Sequence, residues 1–201
     1  MSFHKPSKQS GITITELLVV LIASSILLTT LYVFTSNSIN DFMRLQAEGL
    51  AHNKLSENST RITKVMRGIN QIEVAEADTI TAYSYFAPHD LYTSKIRYYL
   101  NANQDKLLAE VTPMTANYPI GTLLTNQTRT VTIIDGFKKV PNKDTFMYYD
   151  GELTQLTSPV TEKQTIKNIT VQLFVKKYKS TNPDYVSTIS SVNLRNRKSN
   201  L

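Results

Sequence analysis

The chain has 201 residues, no cysteine and a formal net charge of +6 at pH 7. The absence of cysteine excludes disulfides, a thiolate nucleophile and a cysteine-based zinc site, and 41% apolar with 19% charged residues is unlike a disordered chain. The length suits one domain with its own core or a small domain with an anchor. The basic excess predicts an ordinary solvated surface. It also allows contact with an anionic partner.

The first predicted element is a helix that begins near residue 12. Residues 1–11 are short, polar and basic, and their Pro6 and Gly11 disfavour a helix. Residues 17–34 carry no charge, glycine or proline, and as a helix they span roughly 27 Å, close to the ~30 Å hydrocarbon core of a bilayer. We therefore predict a membrane-spanning helix, with Lys5 and Lys8 holding the N-terminus in the cytoplasm.

The apolar segment lacks the ending of a conventional signal peptide. Such a peptide ends its apolar region with small residues in an A-x-A-like pattern, whereas "YVFTSNSINDFM" follows Leu31 here. The small and polar junction lies instead before the apolar segment, at Ser10 and Gly11. An ordinary signal-anchored exported protein remains one alternative for the whole chain.

The stretch "SGITITELLVVLIASSILL" resembles the class III signal of type IV prepilins and pseudopilins. In that family a basic leader ends in glycine and the fifth mature residue is glutamate. The resemblance implies that a prepilin peptidase cuts between Gly11 and Ile12 and methylates the new amine of Ile12. It also implies that Glu16 forms an assembly salt bridge with the N-terminal amine of a neighbouring subunit. The alternative for Glu16 is an acid placed at the start of a helix, where the helix dipole favours it.

Two departures from the family pattern bear on the class of subunit. The family most often has phenylalanine as its first mature residue, whereas this chain has Ile12. Major pilins often carry a glycine and a proline within the anchor helix, and the corresponding positions here are Ser25 and Val33. The second departure favours a minor pilin or pseudopilin over a major fibre subunit.

The segment after the apolar run continues the helix in an amphipathic form. Leu55, Ile62 and Ile69 follow helical spacing, as do Val65 and Ile72, and no proline occurs between Pro6 and Pro88. We predict one helix from about Ile12 to about Gln71. The predicted organisation is a cleaved leader, a membrane or fibre-core half of the helix, an amphipathic second half and a β domain, at residues 1–11, 12–37, 38–77 and 78–201.

Residues 78–201 are predicted to form antiparallel strands. Runs rich in Thr, Val, Ile, Tyr and Phe alternate with turn sequences such as "NANQDK" and "KSTNPDY", which predict hairpins. The expected fold is α+β and pilin-like, with the long helix packed on this sheet. The final "VSTISSVNLRNRK" loosely resembles the last strand of W/J-type minor pilins.

No motif predicts an enzyme, a cofactor or a metal site. The three histidines, His4, His52 and His89, have no metal-binding spacing, and nucleotide-binding and nucleophile-elbow motifs do not occur. The acids Glu73, Glu76 and Asp78 could in principle bind a cation, but the simpler interpretation is a solvated loop after the helix.

One basic surface is a candidate for contact with DNA or another anion. It comprises two groups of cations near the C-terminus: Lys176, Lys177 and Lys179, and Arg195, Arg197 and Lys198. The alternative is a charged edge that protects a strand.

The function expected from the resemblance is that of a minor pilin or pseudopilin. Such a subunit primes or caps a type IV pilus or related pseudopilus, and its partners are other pilins, prepilin peptidase and the inner-membrane assembly platform. It starts as a single-pass protein of the cytoplasmic membrane with its β domain outside the cytoplasm. The alternative of another class is a pilus-tip module that binds DNA or a surface.

Overall fold

The computed structural model describes residues 13–177 and 183–194. One helix is followed by nine strands, an α+β arrangement, as predicted. The helix α1 covers Ile14–Arg67, and the strands are β1 (Gln71–Ala75), β2 (Thr79–Ser84), β3 (Ser94–Leu100), β4 (Lys106–Pro113), β5 (Arg129–Asp135), β6 (Phe146–Tyr149), β7 (Gln155–Leu156), β8 (Asn168–Lys176) and β9 (Tyr185–Asn193). A short 3-10 turn, Thr125–Gln127, precedes β5.

The strands form two antiparallel sheets rather than the single sheet that was expected. The first has the order β1-β2-β3-β4-β5 and is a simple meander, because each strand pairs with the next along the chain. The second has the order β7-β6-β8-β9. The predicted hairpin at "NANQDK" is confirmed, since Leu100 pairs with Leu107 across it. β8 and β9 also pair antiparallel, although residues 178–182 of the predicted second turn lie outside the described residues.

The helix ends at Arg67, earlier than the predicted end near Gln71, and Gln71 begins β1. Gly68 follows the helix directly, and the space beside it is narrow. A Cβ at this position would lie 3.1 Å from Oγ of Ser84, whose hydroxyl donates to the carbonyl of Val65 at 2.6 Å. A glycine therefore lets the chain leave the helix close to the end of β2.

The chain forms two compact units, Met1–Gln46 and Ala47–Leu201. In the second unit, one face of α1 supplies Leu55, Ile62, Val65 and Met66 to a single hydrophobic core. The inward residues of the sheets complete that core, following the alternation expected of strands. Among the buried strands β8 is the most enclosed, with every residue from Asn168 to Val175 buried except Gln172.

In the first unit, the described residues all belong to α1 except Thr13. Every side chain from 17 to 34 is exposed, although most of them are large and apolar. This helix is long and apolar enough to cross a membrane, and it is the one helix of that kind in the part of the chain that the structure describes.

Candidate functional site

The N-terminal end of α1 is organised around Thr13 and Glu16. The Oε2 atom of Glu16 accepts hydrogen bonds from the backbone N–H and from the hydroxyl of Thr13, each at 2.9 Å. In return, the backbone N–H of Glu16 donates to Oγ1 of Thr13 at 3.3 Å. Since α1 begins at Ile14, Thr13 is its N-cap and Glu16 its third residue, and the exchange is a capping box. Both residues are exposed, and the carboxylate is held beside its own helix terminus.

Of the three predicted residues at this end, the structure describes Glu16 alone. Gly11 and Ile12, the predicted cleavage and methylation positions, lie outside the described residues. The capping box supplies a second, local reason for an acid at this position, in line with the alternative that the sequence left open. It also identifies Thr13, which the sequence analysis did not single out, although the T-x-x-E spacing of Thr13 and Glu16 is a signal for it.

The apolar segment that follows has few unsatisfied polar groups on its surface. The hydroxyls of Ser25, Thr29 and Thr30 donate to backbone carbonyls one turn earlier, at 2.7–2.8 Å. A hydroxyl that is bonded to its own helix costs less in hydrocarbon than a free one. These three hydroxyls are therefore compatible with a helix surrounded by lipid or by other apolar helices.

The predicted basic surface is described only in part. Lys176 ends β8, and Lys177 follows it, whereas Lys179, Arg195, Arg197 and Lys198 lie outside the described residues. An acid lies close to the described pair. A hydrogen bond from Lys138 lowers the pKa of the Asp184 carboxyl, and the charge of Lys176 lowers it further. The described part of this surface thus contains the Lys138–Asp184 ion pair as well as Lys176 and Lys177.

The acids at the end of the helix do not converge on one point. Glu73 forms an ion pair with Lys95 at 2.7 Å, and Asp78 contacts Lys139 at 2.5 Å and the hydroxyl of Thr145 at 2.7 Å. Within residues 13–177 and 183–194, no group of three histidine, aspartate or glutamate side chains could hold a metal ion. Two of the three acids named from the sequence, Glu73 and Asp78, each face a lysine instead.

A groove that the sequence did not predict lies within the second unit, between α1 and the segment after β2. Its volume is about 630 Å³, and its lining consists of Glu57, Thr60, Arg61, Lys64, Val65, Tyr85, Phe86, Ala87 and Pro88. Arg61 and Arg129 lie over the ring of Phe86, with their guanidinium carbons 4.9 and 5.9 Å from its centroid. The helical spacing of 57, 60, 61 and 64 is the only part of this groove visible in the sequence.

No protein-family model and no curated protein matches this chain.

Proposed function

We propose that the chain is a minor pilin or pseudopilin, a structural subunit that primes assembly of, or caps, a type IV pilus or related pseudopilus. One observation carries the proposal. Gly11 and Glu16 stand at the family's spacing, immediately before a helical segment whose apolar side chains are covered by nothing in the described chain. Such a segment is stable only against lipid or against the helices of other subunits.

The proposed role of Glu16 is an exchange of partners. In the single subunit its carboxylate accepts two hydrogen bonds from Thr13. After cleavage behind Gly11, the methylated amine of Ile12 carries a positive charge. When subunits assemble, the Ile12 amine of a neighbour replaces Thr13 as the partner of Glu16, because a positively charged amine attracts the carboxylate more strongly than the neutral donors of Thr13 do. This exchange sets the register between neighbouring helices.

The proposed location follows from the same anchor. The subunit is held in the cytoplasmic membrane by residues 17–34, with Lys5 and Lys8 on the cytoplasmic side and the β domain outside. Prepilin peptidase, the inner-membrane assembly platform and other pilins are its partners, and the helix later forms part of the fibre core. The polar surface of the second unit leaves that domain free to stand in water.

Mass spectrometry of the mature N-terminus tests the proposal directly. The full chain is produced in cells with and without a prepilin peptidase, and membranes are then extracted with detergent. We expect a chain that begins with N-methylated Ile12 only where the peptidase is present. Gly11→Val should abolish the trimming, because the peptidase requires a residue without a side chain at this position.

Gly49→Ala is the matched control. It replaces a glycine within α1, and the Cβ that it adds meets nothing within 4 Å. This variant should be trimmed as the wild type is. A chain that keeps residues 1–11 in the presence of the peptidase would refute the proposal, as would a chain cut beyond residue 31 by an ordinary signal peptidase.

A further inference from the structure

The turn between β6 and β7, residues 150–154, presents an apolar side chain next to two acids. Leu153 is 70% exposed and has a φ of +62°, a conformation that costs a leucine free energy. The carboxylate of Asp150 fixes the turn, because it accepts hydrogen bonds from the backbone N–H groups of Glu152 at 2.9 Å and Thr154 at 2.8 Å. The result is a rigid projection with Leu153 and the exposed carboxylate of Glu152 at its tip.

The groove beside α1 has the complementary character. Its floor is apolar, with Phe86 only 6% exposed and Val65 beside it. Its rim carries Arg61 and Lys64, against one acid, Glu57. Arg129 adds a further cation above Phe86. Among the described residues, none of the three cations forms an ion pair, so their charge is available to an anionic partner.

We propose that the turn 150–154 of one copy docks in this groove of a second copy. Leu153 lies on the apolar part of the lining at Ala87 and Pro88. Glu152 faces Arg61 and Lys64 on the rim. The turn contributes nothing to the groove of its own chain. The contact therefore joins two different surfaces of two copies, a head-to-tail arrangement that can continue from one copy to the next.

A protein segment fits this groove better than a nucleic acid does. Two guanidinium groups already lie over the Phe86 ring, which removes that ring as a platform for stacked bases. The small apolar floor instead matches a single aliphatic side chain. The contact needs no processing at Gly11, so it can be tested independently of the N-terminal signal.

Disulfide trapping tests the contact in the full chain, held in detergent micelles. Because the natural chain has no cysteine, each added thiol is unique. Thr60→Cys, in the groove lining, and Thr154→Cys, beside Leu153 in the turn, are made in separate chains with different tags, which are then mixed and oxidised. We expect the mixed disulfide at about tenfold the yield of the control mixture, in which Gln164→Cys replaces Thr60→Cys.

The control matters because the apolar helices alone can bring copies together in a micelle. Gln164 is exposed and does not line the groove, so its cysteine reports that background. Equal yields from the two mixtures would mean association through the helices alone and would overturn the proposal.

A charge exchange supplies the second measurement. Lys64→Glu and Glu152→Lys should each lower the mixed disulfide by about fivefold, because each places like charges at the contact. The pair of variants mixed together, Lys64→Glu in the Thr60→Cys chain and Glu152→Lys in the Thr154→Cys chain, should restore the yield. Circular dichroism of each variant confirms that the fold is retained. Failure of the pair to recover the yield would refute the proposed pairing of rim and tip.

Discussion

At the scale of single residues, Thr13 and Glu16 show how an acid with a proposed role between subunits also serves its own helix. The capping box satisfies backbone groups that a helix start leaves without partners. An isolated helix terminus near a membrane has few other donors and acceptors to rely on. The side chain of Thr13 therefore holds the Glu16 carboxylate in one place while the subunit is alone.

The capping box predicts a difference between two substitutions of Thr13. Thr13→Val keeps the shape of the side chain but removes its hydroxyl, whereas Thr13→Ser keeps the hydroxyl. In micelles we expect amide hydrogen exchange at Glu16 to be about fivefold faster in the valine variant than in the wild type. The serine variant should exchange like the wild type. Equal exchange in the two variants would show that the hydroxyl does not cap the helix.

Two buried tyrosines should differ in how much their replacement by phenylalanine changes the free energy of unfolding. The hydroxyl of Tyr148 donates to the carbonyl of Glu76 at 2.8 Å, whereas the hydroxyl of Tyr98 is buried without a hydrogen-bond partner among the described residues. Burial raises the pKa of both side chains. Replacing Tyr148 by Phe should lower the free energy of unfolding by about 0.5–1.5 kcal/mol, because it removes a hydrogen bond that a buried side chain makes. Replacing Tyr98 by Phe should leave stability unchanged or raise it.

Denaturant unfolding of the fragment 47–201 measures both changes, since this unit contains every core residue that the structure describes. Each variant serves as the control of the other, because both remove one hydroxyl from one buried ring. A loss of stability in Tyr98→Phe as large as that in Tyr148→Phe would contradict the assignment of the two hydroxyls.

At the scale of elements, α1 changes its surroundings along its length. From Leu55 onward, one face of the helix is buried in the core, and the hydroxyl of Ser59 donates to Ser190 of β9 at 2.6 Å. Ser84 of β2 binds the carbonyl of Val65 near the other end of this stretch. The helix is thus fixed to both sheets within residues 47–67.

This packing predicts that two apolar residues of α1 contribute very differently to the free energy of unfolding. Ile62 is fully buried, whereas Leu50 is 64% exposed. Ile62→Ala should lower the free energy of unfolding of the fragment 47–201 by about 2–5 kcal/mol, because it leaves a cavity in the core. Leu50→Ala should change it by less than about 0.5 kcal/mol. Thermal or denaturant unfolding followed by circular dichroism distinguishes the two, and similar losses would contradict the assigned face of the helix.

The helix and most strands could be predicted from sequence because their signals are local. The end of the helix could not be located as well, since Ile69 and Ile72 continue the helical spacing into β1, and Gly68 was the only local sign of an end. The division into two sheets depends on pairing between distant segments, such as Phe146 with Val171. The groove was missed for the same reason, because Arg61, Phe86 and Arg129 come from separate parts of the chain.

At the scale of the whole molecule, the two compact units differ in what covers their apolar side chains. The unit Met1–Gln46 has apolar side chains that need partners from outside the chain, whereas the unit Ala47–Leu201 has a hydrophobic core of its own. Because no cysteine is present, the second unit is held together by noncovalent contacts alone, which are packing, hydrogen bonds and ion pairs.

This division predicts that the second unit folds without the first. The fragment 47–201 should be soluble without detergent and should unfold in one cooperative transition, at a midpoint close to that of the same domain in the full chain in micelles. The full chain, in contrast, should aggregate when detergent is removed, because residues 17–34 then face water. An unfolded fragment, judged by circular dichroism and by dispersion of its amide NMR signals, would show that the core requires residues before Ala47.

The attachment of α1 to the β domain also determines how the domain responds to traction. A pull directed along the helix reaches the domain through Leu55, Ile62, Val65 and Met66, which are buried side by side along the direction of the load. Under such a pull, these contacts and the Ser59–Ser190 hydrogen bond are loaded in shear at the same time. They are not separated one after another from a free edge. A motor drawing on the N-terminal end of the helix would therefore meet its greatest mechanical resistance in this stretch of side chains, and the strands would carry the load only after it had yielded.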